Sequence, residues 1–272
     1  MYPKVPSSET NCTPKRGWRL IFDGARGAAE NMAIDEAILR ACADGLVLPT
    51  IRIYSWQRPS ISLGCLQDIT AKFNLDYCRE SSIDVVRRIT GGRAVMHGSD
   101  VTFSIAVTES DMPSGCSSVL ASHQWLMGGM VAGLQLLGMD AEIGPSHASR
   151  PSLHDADCFA HIAECDVRIG RAKAVGSAQV RKYGALLEQG SIPFCPPKFD
   201  ADRVFGQAPR TSNYSLDGFS FETIAKAIVL GFGNYMQTSL KPENLTNNEI
   251  KIARDLAQKK YATSEWTISR KQ

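Results

Sequence analysis

Apolar positions recur at three-to-four spacing between Ala28 and Asp44. Ala29, Met32, Ala33, Ile34, Ala37, Ile38 and Ala41 mark one face and Gly45 follows as a stop, so the spacing predicts a helix. Val119–Leu137 carries a second helical pattern ending near Gly138, Phe219–Leu240 a longer one interrupted by Gly231 and Gly233, and Asn247–Lys260 a charged C-terminal helix. Alternation or short apolar runs predict strands at Trp18–Asp23, Thr50–Trp56, Ile61–Gly64, Asp84–Arg88, Ala94–Val107, Ala141–Ile143, Asp166–Ile169, Lys173–Gln179 and Ala185–Phe194. Ala71–Asn74 with Leu75–Glu80 suggests a short helical piece, and residues 144–157 read as a loop. Strands come in blocks with helices between and after them. That order predicts an α+β fold, a mixed, mostly antiparallel sheet with flanking helices, and argues against a doubly wound one. The expected organisation is a flexible tail over 1–16, one catalytic-type domain over 17–240, and a helical extension over 241–272 packed on it.

Composition narrows the function classes. The chain has 272 residues, 43% hydrophobic and 21% charged, which is ordinary globular usage. A formal charge of +2 is too balanced to imply nucleic acid, although 87–93 and 168–182 could form a local basic patch for an acidic partner. No apolar run approaches the length of a membrane span, and Met1–Arg16 lacks the apolar core of a signal peptide, so the expectation is no membrane and a cytoplasmic location. The 8 cysteines form no Cys-x-x-Cys pair, so metal-ribbon and thioredoxin-like readings lack their pattern. Reduced thiols, no metal and no cofactor are expected.

Two segments carry chemistry. Residues 87–104 place Arg87 and Arg88 before Gly91-Gly92, then Arg93 and His97, then an alternating run. The plain reading is a hairpin turn beside solvated arginines. The sharper one is a loop that lets backbone N–H groups and guanidinium forks approach a carboxyl, acyl carbonyl or phosphate. The second segment carries Cys158, Lys173, Gly176, Ser177, Ala178 and Gln179. A thiolate is the best single-residue nucleophile near neutral pH but needs a nearby positive charge or base. Lys173 could supply the charge; the small residues after it leave room for a chain-like substrate, and Gln179 adds an amide for orientation. His154 and His161 lie near enough in sequence to serve as a base, while His97 reads as a site-lining residue. Against these stand a buried structural thiol, a solvated lysine and surface histidines.

At these residues the sequence resembles the biotin/lipoate protein ligase superfamily over about residues 18–268. Three motifs carry the resemblance: Arg87-Arg88-Ile89-Thr90-Gly91-Gly92-Arg93-Ala94-Val95-Met96-His97 with Thr102-Phe103-Ser104, Asp157-Cys158-Phe159, and Gly170 through Gln179 with Gln189-Gly190-Ser191-Ile192. Arg93 stands where the lipoate ligases usually carry a third glycine, which brings the chain nearer to the lipoate-ligase-like octanoyltransferases. Gly98-Ser99 and the segment after Phe159 depart from the common pattern. The resemblance implies the biotin/lipoate protein ligase catalytic-domain fold. It implies an acyl-thioester at Cys158 with Lys173 lowering its pKa, and substrate contacts from Arg87, Arg88, Gly91, Gly92, Arg93, His97, Gly176, Ser177, Ala178 and Gln179.

The implied reaction moves octanoyl from acyl carrier protein to a lysine of the glycine cleavage H protein or another lipoyl domain, by a monomer. Alternatives are an ATP-dependent lipoate–protein ligase, an amidotransferase between lipoyl domains, and a binding module without activity. The absent third glycine counts against the ligase, and Cys158 with Lys173 against the inactive module.

Overall fold

A computed structural model describes residues 16–69, 73–144, 166–206, 216 and 218–270. Its elements are β1 (Trp18–Arg26), α1 (Ala28–Ala43), β2 (Thr50–Trp56), β3 (Ser60–Leu63), α2 (Leu75–Glu80), β4 (Asp84–Arg87), β5 (Val95–His97), β6 (Asp100–Thr108), α3 (Val119–Leu136), β7 (Ala141–Ile143), β8 (Val167–Ile169), β9 (Ala172–Lys182), β10 (Ala185–Pro193), α4 (Ala201–Phe205), α5 (Phe221–Met236), β11 (Leu240–Pro242), α6 (Asn247–Leu256), a π-helical turn (Ala257–Tyr261) and α7 (Ser264–Thr267).

The strands form an 8-stranded sheet in the order β11-β1-β2-β6-β10-β9-β8-β7 and a 3-stranded sheet in the order β4-β3-β5. In the large sheet β1 runs parallel to β2 and β11, and the remaining pairs are antiparallel. This is the mixed, mostly antiparallel α+β arrangement that the pattern predicts. On one face α3 and α5 pack over Trp18, Phe103, Trp125 and Phe232. On the other, α1 and the C-terminal segment bury Ile38, Leu39, Tyr54, Tyr261 and Trp266. A smaller core under the second sheet joins Ile61 and Leu63 to Phe73 and Phe205.

Three elements differ from the sequence expectation. Ala94–Val107 is not one strand. Gly98 takes φ +116 and the chain breaks there, so β5 joins the small sheet and β6 the large one. The long helix ends at Met236, because Gln237 adopts a left-handed conformation (φ 50) and the chain enters β11 beside β1. Gly231 does not break α5; a Cβ on it would lie 2.1 Å from the backbone nitrogen of Gly133, so α3 and α5 approach closely there. The charged C-terminal helix also divides, into α6 and the π-helical turn, and α7 follows beyond the predicted range.

Candidate active site

The Gly91-Gly92 loop is not a hairpin turn. β4 and β5 lie on opposite sides of β3, β4 parallel to it and β5 antiparallel, so residues 88–94 cross the end of β3. Contact there is close: a Cβ on Gly64, just past β3, would sit 1.9 Å from the carbonyl oxygen of Gly92. Gly92 itself adopts φ +86, a conformation that favours glycine. Arg88 staples the crossing from inside. Its guanidinium donates to the carbonyl of Ser62 at 2.7 Å, to Ser62 Oγ at 3.1 Å, and to the carbonyls of Gly91 and Arg93, both at 2.7 Å.

Arg88, His97, Gly176, Ser177 and Ala178 meet along one narrow cleft, with Ser62, Trp56 and Thr102 beside them. Gly92 reaches it from the rim, where a Cβ would touch Ala178 Cβ at 3.6 Å. The free volume is about 20 Å3, about the room of one water. Met32 and Ser177 are among the walls; Met32 Sδ accepts from Gln189 at 3.5 Å and Met127 Sδ from Ser177 at 3.5 Å, and thioethers are adaptable packing groups.

Other sequence-selected residues lie elsewhere. Arg87 is fully buried and donates to carbonyls of Gly64 at 2.6 Å, Gln67 at 2.7 Å and Thr267 at 3.0 Å, tying the loop after β3 to α7. Burial, reinforced by Arg270 nearby, pulls its pKa down. Gln179 faces the α3 side, bonded to Glu188 at 3.1 Å and to Ser122 at 3.3 Å. Arg93 is half-buried and lends its carbonyl to Arg88. Cys158, His154 and His161 lie outside the described residues.

Lys173, on β9, is 7% exposed and pairs with Asp166 at 2.9 Å, itself 6% exposed. Gly176 follows on the same strand roughly 10 Å along. The pairing fixes the direction of the Lys173 side chain. Asp166 carries no motif of its own and was visible in sequence only as the polar residue opening a strand. Two buried thiols contrast with a reactive cysteine: burial pushes Cys42 up to about 12 and Cys78 up to about 11, which keeps both protonated at neutral pH.

A second polar line runs through the cleft. His97 stacks on Trp56, with centroids 4.0 Å apart and planes at 18°. Its Nε2 lies 2.8 Å from Ser62 Oγ and its Nδ1 2.8 Å from Asp100 Oδ2. Asp100 also accepts from the Thr102 and Ser191 hydroxyls, each at 2.7 Å, and from Gly98 N–H at 3.0 Å. Burial pushes its pKa up, but His97 and these hydroxyls outweigh burial and hold it below the ordinary carboxylate value. Below the cleft, Asp35 gathers donors from Arg52, Tyr54, Ser104 and Gln189. Sequence reading selected neither Ser62 nor Asp100 as a site residue, although Asp100 stands in the resemblance motif as the acidic residue between His97 and Thr102-Phe103-Ser104. Among the described residues no cluster of histidine, cysteine and carboxylate side chains is arranged to hold a metal, and no helix is long and apolar enough to cross a membrane.

Residues 27–219 match the lipoyl protein ligase A/B catalytic domain. Octanoyltransferase LipM of Kyrpidia tusciae is 36% identical, the match covering 92% of this chain and 97% of that protein. Octanoyltransferase LipM of Brevibacillus brevis is 33% identical over 93% of this chain and 99% of its own. Among solved structures, a lipoate-protein ligase A bound with ATP superposes with a TM-score of 0.76 at 26% identity, covering 93% of this chain and 98% of that one. A bipartite lipoate protein ligase from Thermoplasma acidophilum shares the fold at a TM-score of 0.72 and 24% identity, over 94% and 98% of the two chains.

Proposed function

Because this chain belongs to the lipoyl protein ligase A/B catalytic-domain family, we propose that it is an octanoyltransferase. It transfers octanoyl from acyl carrier protein to a lysine of a lipoyl domain, the glycine cleavage H protein foremost. The observation that carries this reading is the full-length similarity to octanoyltransferases at 33–36% identity.

Two steps follow from the residues. The Cys158 thiolate attacks the octanoyl carbonyl carbon. A new C–S bond forms, and the carrier's own thiolate leaves and takes up a proton. The acceptor lysine's amine then attacks the thioester. A C–N bond forms, the C–S bond breaks with its electron pair on Cys158 Sγ, and the amine gives up a proton. Splitting the transfer this way replaces one hard step by two easier ones. The Lys173 ammonium, fixed by Asp166, favours the thiolate in the first step and the tetrahedral oxyanion in both. The walls at Gly176–Ala178 and Val95 take the acyl chain, whose methylenes contribute about 0.8 kcal/mol each when buried.

The ATP-bound ligase among the structural neighbours favours a second reading, an ATP-dependent lipoate–protein ligase. Intact-protein mass spectrometry separates the two. Octanoyl-carrier protein without ATP should add one octanoyl group to the wild type, released by hydroxylamine and absent in Cys158→Ser. Acceptor modification that appears only with free acid, ATP and magnesium would establish the ligase instead. Octanoyl-H protein as sole donor, against a second lipoyl domain, tests for amidotransfer.

A further inference from the structure

The tip of the β9–β10 hairpin carries features that the cleft chemistry does not use. Lys182 pairs with Ala185, so Tyr183 and Gly184 alone make the turn, at φ 60 and φ 81. A turn with two left-handed residues favours Asn-Gly, and a bulky side chain rarely takes the first position. Tyr183 takes it and is 54% exposed, with the Arg40 guanidinium 5.3 Å from its ring centroid. Cations converge beside it from three elements: Arg40 from α1, Lys182 from β9 and Lys260 from the π-helical turn. Glu36 is the one carboxylate paired with them among the described residues; it is buried and shared by Arg40 and Lys260. Lys182 makes no ion pair among the described residues. Burial pulls the pKa of Lys260 down, and Lys182 and Arg40 pull it the same way, so the three charges stand close enough to act on one another.

Both α1 and β9 lead from this cluster to the cleft. Side chains alternate across β9: Arg181 turns toward α3, bonded to Ser118 and Ser122, while Val180 packs with the α1 core. Lys182 therefore shares a face with Val180 and with Ala178 on the cleft wall. The rise of a strand puts it about 13 Å beyond Ala178. On α1, Arg40 lies about 12 Å beyond Met32, another wall residue.

We propose that Arg40, Lys182, Tyr183 and Lys260 form the docking surface for the acyl carrier protein that donates the octanoyl group, which meets them with an acidic face. This rests on the octanoyl-transfer reading. Charge complementarity sets the chemistry of the occupant, because three cations share one buried carboxylate. The exposed ring of Tyr183 adds the kind of aromatic contact that protein interfaces favour. Distance selects the donor over the acceptor. A lysine side chain is too short to reach from this surface to the cleft, whereas the phosphopantetheine arm of a carrier spans the gap.

The test is steady-state octanoyl transfer to apo-H protein by wild type, Lys182→Gln, Lys182→Glu and Tyr183→Asn, with octanoyl-carrier protein or S-octanoyl-pantetheine as donor. The pantetheine thioester offers the reacting group without the protein face. Lys182→Glu replaces attraction by repulsion, and electrostatic focusing changes association rates by about 10–10³-fold. In Lys182→Glu, kcat/KM for octanoyl-carrier protein should fall at least about tenfold, through KM with kcat kept, and in Lys182→Gln by less. Added salt should raise the wild-type KM and narrow the gap. Tyr183→Asn, which suits the backbone of the turn better, should raise the same KM without lowering the melting temperature. In all three variants kcat/KM for the pantetheine donor and KM for apo-H protein should match wild type. Equal losses with both donors would place the effect in the cleft. A rise in KM for apo-H protein alone would assign the surface to the acceptor, and unchanged kinetics would leave it without a partner; any of these results overturns the docking surface. A wild type that transfers from neither donor would overturn the octanoyl-transfer reading itself.

Discussion

The Nζ of Lys173 lies 2.9 Å from Asp166, with both side chains almost closed to solvent. A buried ion pair is held together by its geometry and loses much more than its Coulomb energy when one member is removed, because the remaining charge stays desolvated. Asp166→Ala should therefore destabilise the protein by about 3–5 kcal/mol, read from urea unfolding. Asp166→Asn keeps the shape and removes the charge. Its acyl-enzyme formation should be slower than wild type, because Lys173 loses the charged partner that fixes its amine. An unchanged acylation rate in Asp166→Asn would show that Lys173 needs no counter-charge for its role.

Much of this site was legible before any coordinates. The small residues Gly176–Ala178, the Gly-Gly loop, Arg88 and His97 do meet at one cleft. Their spacing carried that information because glycine and small side chains mark close approach; the Arg88 guanidinium, expected to face a ligand, is instead bonded to the carbonyls of Ser62, Gly91 and Arg93. What stayed hidden was direction. Arg87 and Arg88 are adjacent and alike, yet they alternate across a strand end, so one lines the cleft and the other reaches the carbonyl of Thr267. Gln179 and Ala178 part for the same reason. Ser62 came from a segment with no motif and reached the site through long-range strand pairing, which a local pattern does not encode; Asp166 meets Lys173 across the short β8–β9 pair. The break at Gly98 was missed because the apolar alternation continues through it, while the chain passes from one sheet to another.

Gly64 is predicted to be intolerant of any side chain. Its hypothetical Cβ would lie 1.9 Å from Gly92 O and 2.8 Å from Gly92 C, backbone atoms that Arg88 prevents from retreating. Gly64→Ala should cost roughly 1–3 kcal/mol and lower the melting temperature by several degrees. Gly91→Ala is the control, since nothing lies within 4 Å of a Cβ there. Equal melting points for the two variants would sink the close-approach account.

Acid should loosen the attachment of the C-terminal segment to α1. Glu36, buried on α1, accepts from Tyr261 at 2.6 Å, Lys260 at 2.8 Å and Arg40 at 3.1 Å. Burial pushes its pKa up, but Lys260, Tyr261 and Arg40 outweigh burial and hold it below the ordinary carboxylate value. A carboxyl with a depressed folded pKa adds stability that is fully present above its unfolded pKa. That stability is lost as pH falls through the folded value. Glu36→Gln should therefore be less stable than wild type at pH 7, by about 1.5–3 kcal/mol for charged hydrogen bonds. The gap should narrow as urea titrations are moved to pH 3. A gap independent of pH would assign the loss to packing instead.

Arg19 and Glu249 make a more severe case, because neither reaches solvent. Arg19, on β1, is 1% exposed and Glu249, in the first turn of α6, is fully buried. The guanidinium fork meets both carboxylate oxygens, with Nη1 donating to Oε2 at 3.0 Å, while its Nε donates to Thr50 Oγ1 at 2.9 Å. Glu249 is committed twice, since it also closes a capping box with Thr246, accepting from that residue's backbone N–H at 2.7 Å. One carboxylate thus starts α6 and binds it to the large sheet. Arg19→Met should strand the carboxylate and cost about 3–5 kcal/mol. Glu249→Gln keeps the cap's acceptor but leaves Arg19 without a counter-charge, and should cost a similar amount. The Arg19→Met/Glu249→Gln double variant removes both charges at once. Buried pairs replaced whole by neutral groups are often no less stable than before, so it should recover a large part of the loss. Denaturant unfolding of all four proteins gives the coupling energy directly. Additive losses would mean that the two residues act separately on β1 and α6, and that the pair is not what joins them.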